Sequence, residues 1–316
     1  MTASERAPIL LGTITVDSLD RFVSHGKVEA GLTVALELTE QYHLVNSQLR
    51  DSLIREKAPG RDVSIGEAMR LIVAGGSVFA NVQRKAHLIR AEVIIVTGPG
   101  VTIESRGVGY GLIRLQREGS ETVLADPAIL EALQRATALA LKDSLVYAKL
   151  EAPFNVKPAA LLAMGGIAYK NDETLPQWDI YEKKVTTSFD LMQTAVGALA
   201  RNEQVVVLDA ETRDSMFADA RLYMVENYNA SSRDELTTLA AFEVTRMITG
   251  SLTRTAKGAT LQLQFGTLDN KGQLRAARTT EQAVPNDSVD DLRTAMVKGL
   301  RELLPGTTVE RPVEPK

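Results

Sequence analysis

The chain has no cysteine among its 316 residues. Disulfides, thiolate metal ligands, thiol nucleophiles and a lipidated amino-terminal cysteine are therefore excluded for the sequence as it stands. Aromatic residues are sparse, 5% of the chain, with a single tryptophan. The three histidines, His25, His43 and His87, never stand three or four residues apart, so no helical metal pair can form. No apolar run reaches the ~18 residues that span a bilayer. Lysine and arginine are interleaved with acidic residues in a chain of net charge −4, which argues against nucleic acid as the main partner. The opening, "MTASERAPILLGTITV", lacks the basic and long apolar regions of a signal peptide. The sequence thus predicts a cytoplasmic protein, or a periplasmic or envelope protein from which a targeting segment has been removed.

What is present is an ordinary globular composition, 44% hydrophobic and 24% charged. A chain of this length makes about two domains, each large enough for a normal core. One stretch, Ser232–Gln282, organises the rest. Ser232 and Glu235 have the spacing of a capping box, in which each side chain can satisfy the other's backbone N–H. A short helix follows through Leu236, Leu239 and Ala240. The period then changes to two: "RMITGSLTRT" and "TLQLQFGT" read as strands, the second alternating through Leu261, Leu263 and Phe265. "LDNKGQ" is a turn in which Asn270 and Gly272 can take positive φ, and "LRAARTTEQ" returns as a third strand.

The same unit occurs earlier. Ser64 and Glu67 repeat the capping spacing, Gly76-Ser77 answers Gly250-Ser251, and "AEVIIVTGPGVTIES" answers "LQLQFGTLDNKGQLRAA". Upstream, Arg50-Asp51-Ser52 matches Arg213-Asp214-Ser215. Two copies of one module are expected. Each opens with a strand (Ile9–Val16; Leu161–Tyr169), then an amphipathic helix (Lys27–Glu40; Lys183–Arg201 with a stripe of Val185, Phe189, Met192, Val196 and Leu199), a short strand and a second helix. The capped helix and meander follow, and a last helix closes each copy (Pro127 to about Tyr147; Ser288–Leu304). "KLEAPFNVKPAA", with Pro153 and Pro158, marks the boundary. The expected fold is α+β: two βαβαβββα domains, 1–150 and 151–316, each a mixed sheet with helices packed on it, the second ending in a short disordered tail.

That order of elements, with "MITGSLTRT" fitting a Gly-Ser strand pattern and "TLDNKGQL" a D-x-x-K-G turn, resembles the TolB amino-terminal domain and the related CsgG-like envelope proteins. "VAGGSVFANV" fits the strand pattern loosely, and neither opening strand carries the family's Pro-Phe. The resemblance implies a non-enzymatic bacterial envelope protein: a protein-binding module, a secretion subunit or an activator of wall-building enzymes. No inserted pair of membrane strands is seen, so a pore is not carried over.

Few residues suggest chemistry. "GVGYG" (Gly107, Gly109, Gly111) is followed by strand-like residues rather than a helix, so it reads as a strand in which glycine removes side-chain bulk, not a phosphate loop. Gly75-Gly76 and Gly165-Gly166 read as strand positions approached closely by a neighbour. Arg213 and Asp214, with their counterparts in the first copy, are either a polar patch for a partner or ordinary charges at a helix start. Trp178 and Tyr181 in one loop, and Tyr223 and Tyr228 in another, are either interface anchors or, for Trp178, a lid on the second core. No catalytic, cofactor-binding or metal-binding residue emerges. The function expected is scaffolding or assembly, through self-association or a protein partner. The rivals are a sensor or enzyme with a site in the inter-domain cleft, and a cytoplasmic regulatory domain.

Overall fold

The computed structural model describes residues 6–17, 20, 22–97, 103–113, 127–141, 159–170, 177–200, 202, 204–255, 258–285, 288–306 and 309. The chain divides into two compact units, Met1–Ala159 and Ala160–Lys316. In the first, the order is β1 (Ala7–Val16), α1 (His25–Glu37), β2 (Tyr42–Val45), α2 (Ser47–Lys57), α3 (Ile65–Ile72), β3 (Gly76–Lys85), β4 (Leu88–Thr97), β5 (Ile103–Leu112) and α4 (Pro127–Leu141). The second repeats it with β6 (Ala160–Lys170), α5 (Gln177–Leu199), β7 (Val205–Val207), α6 (Ala210–Asp219), α7 (Arg233–Ala241), β8 (Arg246–Thr255), β9 (Gly258–Leu268), β10 (Leu274–Val284) and α8 (Val289–Leu303). The fold is α+β, with two helices between the second strand and the meander of each unit.

The sheets have one topology. Their orders are β2-β1-β3-β4-β5 and β7-β6-β8-β9-β10. The first three strands of each sheet run parallel and the meander antiparallel. Even the irregularity is repeated. The pairing of β1 with β3 shifts between Leu11 and Ile14, and that of β6 with β8 between Met164 and Ile167. An extra residue at this point bends the first strand and turns its edge groups.

Register also corrects one sequence match. Ile9 pairs with Gly76, and its counterpart Leu162 pairs with Arg246. Gly76-Ser77 therefore corresponds to Arg246-Met247, while Gly250-Ser251 corresponds to Ala80-Asn81, which lie opposite Ile14 and Thr15 as Gly250 and Ser251 lie opposite Ile167 and Ala168. The two Gly-Ser pairs share letters but not a place. Gly250 is needed because a Cβ there would press on Gln262 O at 2.7 Å, and Gly76 because one would press on Val96 O at 2.6 Å.

Helix starts follow their caps. Ser64 and Ser232 accept from Glu67 N–H and Glu235 N–H, both at 3.3 Å. The returning half of the box is absent. Glu67 pairs with Arg61 at 3.0 Å, and Glu235 takes the Ser232 hydroxyl at 3.0 Å. In the β9–β10 turn, Gly272 alone takes positive φ, 73°.

The main core of the first unit lies between the sheet and α1 with α4, around Ile9, Leu32, Ile89 and Leu133. A smaller cluster on the other face joins Leu10 and Val45 to Ala68 and Met69 of α3. The second unit's core is built from Leu162, Leu191, Leu263, Met296 and their neighbours. Two expectations fail in α5. It begins at Gln177, so Trp178 and Tyr181 stand on helical backbone rather than in a loop. Its buried face is Ser188, Leu191, Met192, Ala195 and Ala198, whereas Val185 and Phe189 are exposed. The helix is rotated to that face by two polar ties: Ser188 Oγ donates to Ile167 O at 3.1 Å, and Asp190 pairs with Arg293 of α8 at 2.6 Å. Of the tail expected to be disordered, Val309 is buried and its carbonyl accepts from Arg301 at 3.3 Å. Residues 310–316 lie outside the described residues, as do residues 114–126, whose sequence predicts an extension of the third strand or an added hairpin, and 142–147 of the expected helix end.

Candidate interaction site

The bulge of the opening strand is where the shared polar triplet acts. Asn46 and Asp209 cap α2 and α6, accepting from Leu49 N–H and Thr212 N–H at 2.8 Å each. The caps set the first turn so that the arginine of the triplet points back at the sheet. Arg50 Nη1 donates to Leu11 O, and Arg213 Nη1 donates to Met164 O at 3.0 Å. Those two carbonyls hold the same position at the bulge. Each arginine also pairs with the aspartate beside it, Arg50 with Asp51 at 2.8 Å and Arg213 with Asp214 at 2.7 Å. The repeated Arg-Asp thus ties a helix to the carbonyl at the bulge of the opening strand. Arg213 is 3% exposed and donates further to Asn227 Oδ1 at 2.6 Å. Its guanidinium is committed within the unit, and Asp214 is the exposed member of the pair.

Next to this tie the units diverge. The connection between α6 and α7, residues 220–232, is longer than its counterpart between α2 and α3, residues 58–64. Its far end lies against β6. Ile167 N–H donates to Asn227 O at 2.8 Å and Tyr169 N–H to Tyr228 O at 2.9 Å. A Cβ on Gly166 would overlap Asn229 O, so only glycine lets the loop lie this close. Tyr228 is buried, with Lys184 Nζ 4.0 Å above its ring. Asn229 is held by Glu226 at 2.6 Å. The near end faces outward: Tyr223 is 73% exposed and Met224 91%. In the first unit Ile14 and Val16 occupy the places of Ile167 and Tyr169. Among the described residues no turn or loop carbonyl accepts from their N–H groups.

The expected site residues therefore separate. Tyr223 is exposed, Tyr228 and Arg213 are inside, and Asp214 is at the surface beside Arg213. The backbones of Trp178 and Tyr181 are in α5, apart in sequence from the loop. Met224 escaped notice because a lone methionine carries no spacing signal, although "LYMV" is an apolar run in a connection that should be polar. Among the described residues no three His, Asp or Glu gather as a metal-binding group. No described helix is long and apolar enough to cross a membrane. What the arrangement offers is backbone hydrogen bonding at a strand edge and two large exposed side chains.

No family model matches the chain, and no curated protein matches it. Among solved structures, the chain is similar to the LpoB C-terminal domain from Salmonella enterica at 12% identity, over 40% of this chain and 84% of that one, with a TM-score of 0.29. It is similar to the LpoB C-terminal domain from Escherichia coli at 15% identity, over 44% and 93%, with a TM-score of 0.28. Scores of this size establish no shared family, and the TolB and CsgG-like resemblance rests on the sequence pattern.

Proposed function

We propose that the chain is a non-enzymatic, protein-binding assembly module of a bacterial envelope system. The envelope setting is supported by the sequence resemblance. The binding role is carried by one observation: the outward end of the 220–232 connection, where Tyr223 and Met224 stand exposed. Aromatic and methionine side chains on a surface of mixed charge are typical contact anchors, and burying them on a partner releases water from apolar area. Asp214 contributes a surface charge near the same element, and Trp178 and Tyr181 are carried in the proposal as further anchors on α5. A photocrosslinker at Tyr223, used in the native host, tests it. A discrete protein adduct that is lost when Met224 is made Asp supports binding. The absence of any adduct removes the assignment. A screen over ester, phosphate, peptide and nucleotide substrates should give background rates, and turnover lost on changing one polar residue would refute the non-enzymatic part.

A further inference from the structure

The two units also differ at the free edge of their opening strands. Beyond the short β2 and β7, the outer edges of β1 and β6 have no neighbouring strand among the described residues. In the second unit the edge donors Ile167 N–H and Tyr169 N–H end on loop carbonyls. In the first, the equivalent donors Ile14 N–H and Val16 N–H have no acceptor among the described residues. The side chain of Ile14 is packed in the core of the first unit, which fixes the strand and with it the direction of the edge donors. The edge sequence, "GTITV", carries no charge and no proline. Edges that must stay unpaired are normally blunted by such residues. The long outer strands β5 and β10 carry Glu104 and Arg106, and Arg275, Arg278 and Glu281, and fit that protected pattern.

The chain also contains a segment suited to the edge. Tyr223, Met224 and Val225 lie in the connection outside helix and strand, their backbone groups make no hydrogen bond among the described residues, and the first two side chains are exposed. The next residues of that connection already lay carbonyls on the homologous edge of β6.

We propose that the β1 edge of one copy receives the Tyr223–Val225 segment of a second copy, joining chains head to tail. The contact adds main-chain bonds from the segment's carbonyls to Ile14 N–H and Val16 N–H, and covers Tyr223 and Met224. It is heterologous, since edge and segment are different surfaces, and it propagates into a ring or an open filament. This rests on the protein-binding role proposed above and names the partner as the chain itself.

Sedimentation velocity over a concentration series tests it. The wild-type chain is expected to sediment faster as concentration rises. Val16→Pro removes one edge donor, and Met224→Asp places a charge in the segment. Each alone should abolish the association, while an equimolar mixture of the two should form a species of two chains and none larger, because one variant keeps its segment and the other its edge. Thr15→Lys, a charge at an exposed edge position, replaces Val16→Pro if that variant does not fold. A wild-type chain that stays monomeric at every concentration overturns the proposal, as does association that survives the variants or a mixture that stays monomeric. If the wild type is monomeric while the Tyr223 crosslinker still captures a different protein, head-to-tail assembly falls and the protein-binding role stands.

Discussion

The two units share every strand and differ in how their last helix meets the sheet. In the first, Gly107, Gly109 and Gly111 line one face of β5, and a Cβ on any of them would overlap a carbonyl of α4, at Ala136, Ala132 or Ala128. The helix answers with alanine at four-residue intervals, Ala128, Ala132, Ala136 and Ala140, and sinks onto the strand backbone. Arg135 follows it inside, donating to Tyr110 O and pairing with Glu131, both at 2.6 Å. In the second, β10 turns Thr280 and Gln282 towards α8, where both donate to Glu302 and Gln282 donates also to Thr280, and Arg278 donates to Leu303 O at 3.0 Å. Here the glycine is on the helix: Gly299 lets α8 approach Leu263 and Thr280. One topology thus admits two solutions to helix-on-sheet packing, a bare strand under a smooth helix and a polar-laced strand under an amphipathic one.

The glycine seam is the sharper dependence. Gly109→Val must displace α4 from β5, since a Cβ would also stand 2.5 Å from Ala136 N. The expected loss is at least about 3 kcal/mol, the upper range of overpacking. Thr279→Val on the exposed strand of the other unit should stay within about 0.5 kcal/mol. Chemical denaturation of both variants checks this, and equal effects would remove the contrast.

The bulge ties come next. Arg213→Met leaves Met164 O and Asn227 Oδ1 without their donor in a buried place. A loss of about 2 kcal/mol is expected, in the range for orphaned acceptors of a charged donor. Arg50 is 20% exposed, so water can replace it, and Arg50→Met should lose about 1 kcal/mol. Denaturation midpoints that reverse this order would contradict the different burial of the two ties.

How much of this was legible beforehand depended on the kind of signal. The duplication was, because capping serines, meander periodicity and the Arg-Asp-Ser triplet are local patterns. The glycine pairs were legible as places of close approach, as Gly166 under Asn229 O shows. The false Gly-Ser match arose because register is fixed by pairing across strands, which one strand's letters do not contain. The Val185–Phe189 stripe misled for the same reason: several apolar residues fit helical spacing, and ties to Ile167 O and Arg293 chose among them. The uneven fate of the β1 and β6 edges was not legible at all, since it turns on a loop folding back over a strand far from it in sequence.

A strained cap offers a gain rather than a loss. Val73 ends α3 with φ 60°, and its counterpart Glu243 lies after α7 with φ 63°. A β-branched side chain is poorly tolerated in this left-handed region, where glycine is the usual residue. Val73 is 78% exposed, so its side chain makes little packing to lose. Val73→Gly should therefore stabilise by about 1 kcal/mol and Glu243→Gly by about 0.5 kcal/mol. Thermal melts that fall for Val73→Gly would show that the exposed valine has a contact of its own.

The smallest contrast is in the hairpin turns. The β9–β10 turn holds Asp269, whose Oδ1 accepts from Gln273 N–H and Lys271 N–H at 2.9 Å each. The residues between β4 and β5 begin "GPGV" and contain no carboxylate. The Gln273 bond foremost, with the Lys271 bond and the charges of Arg275 and Lys271, holds the Asp269 carboxyl below its ordinary value near 3.8, against an opposing effect of desolvation. A group whose folded value is depressed stabilises the fold above its unfolded value and loses that contribution as pH falls through the folded one. Asp269→Asn should therefore be slightly less stable than wild type near neutrality. The gap should close below about pH 3.8, as the wild-type carboxylate takes up its proton. Because the side chain is at the surface, added salt should weaken the part owed to Arg275, which stands 3.9 Å away, and leave the two backbone bonds. Melts of the two proteins from pH 2 to 7, with and without salt, measure it; a gap that widens on acidification would mean the turn does not hold the ionised carboxylate.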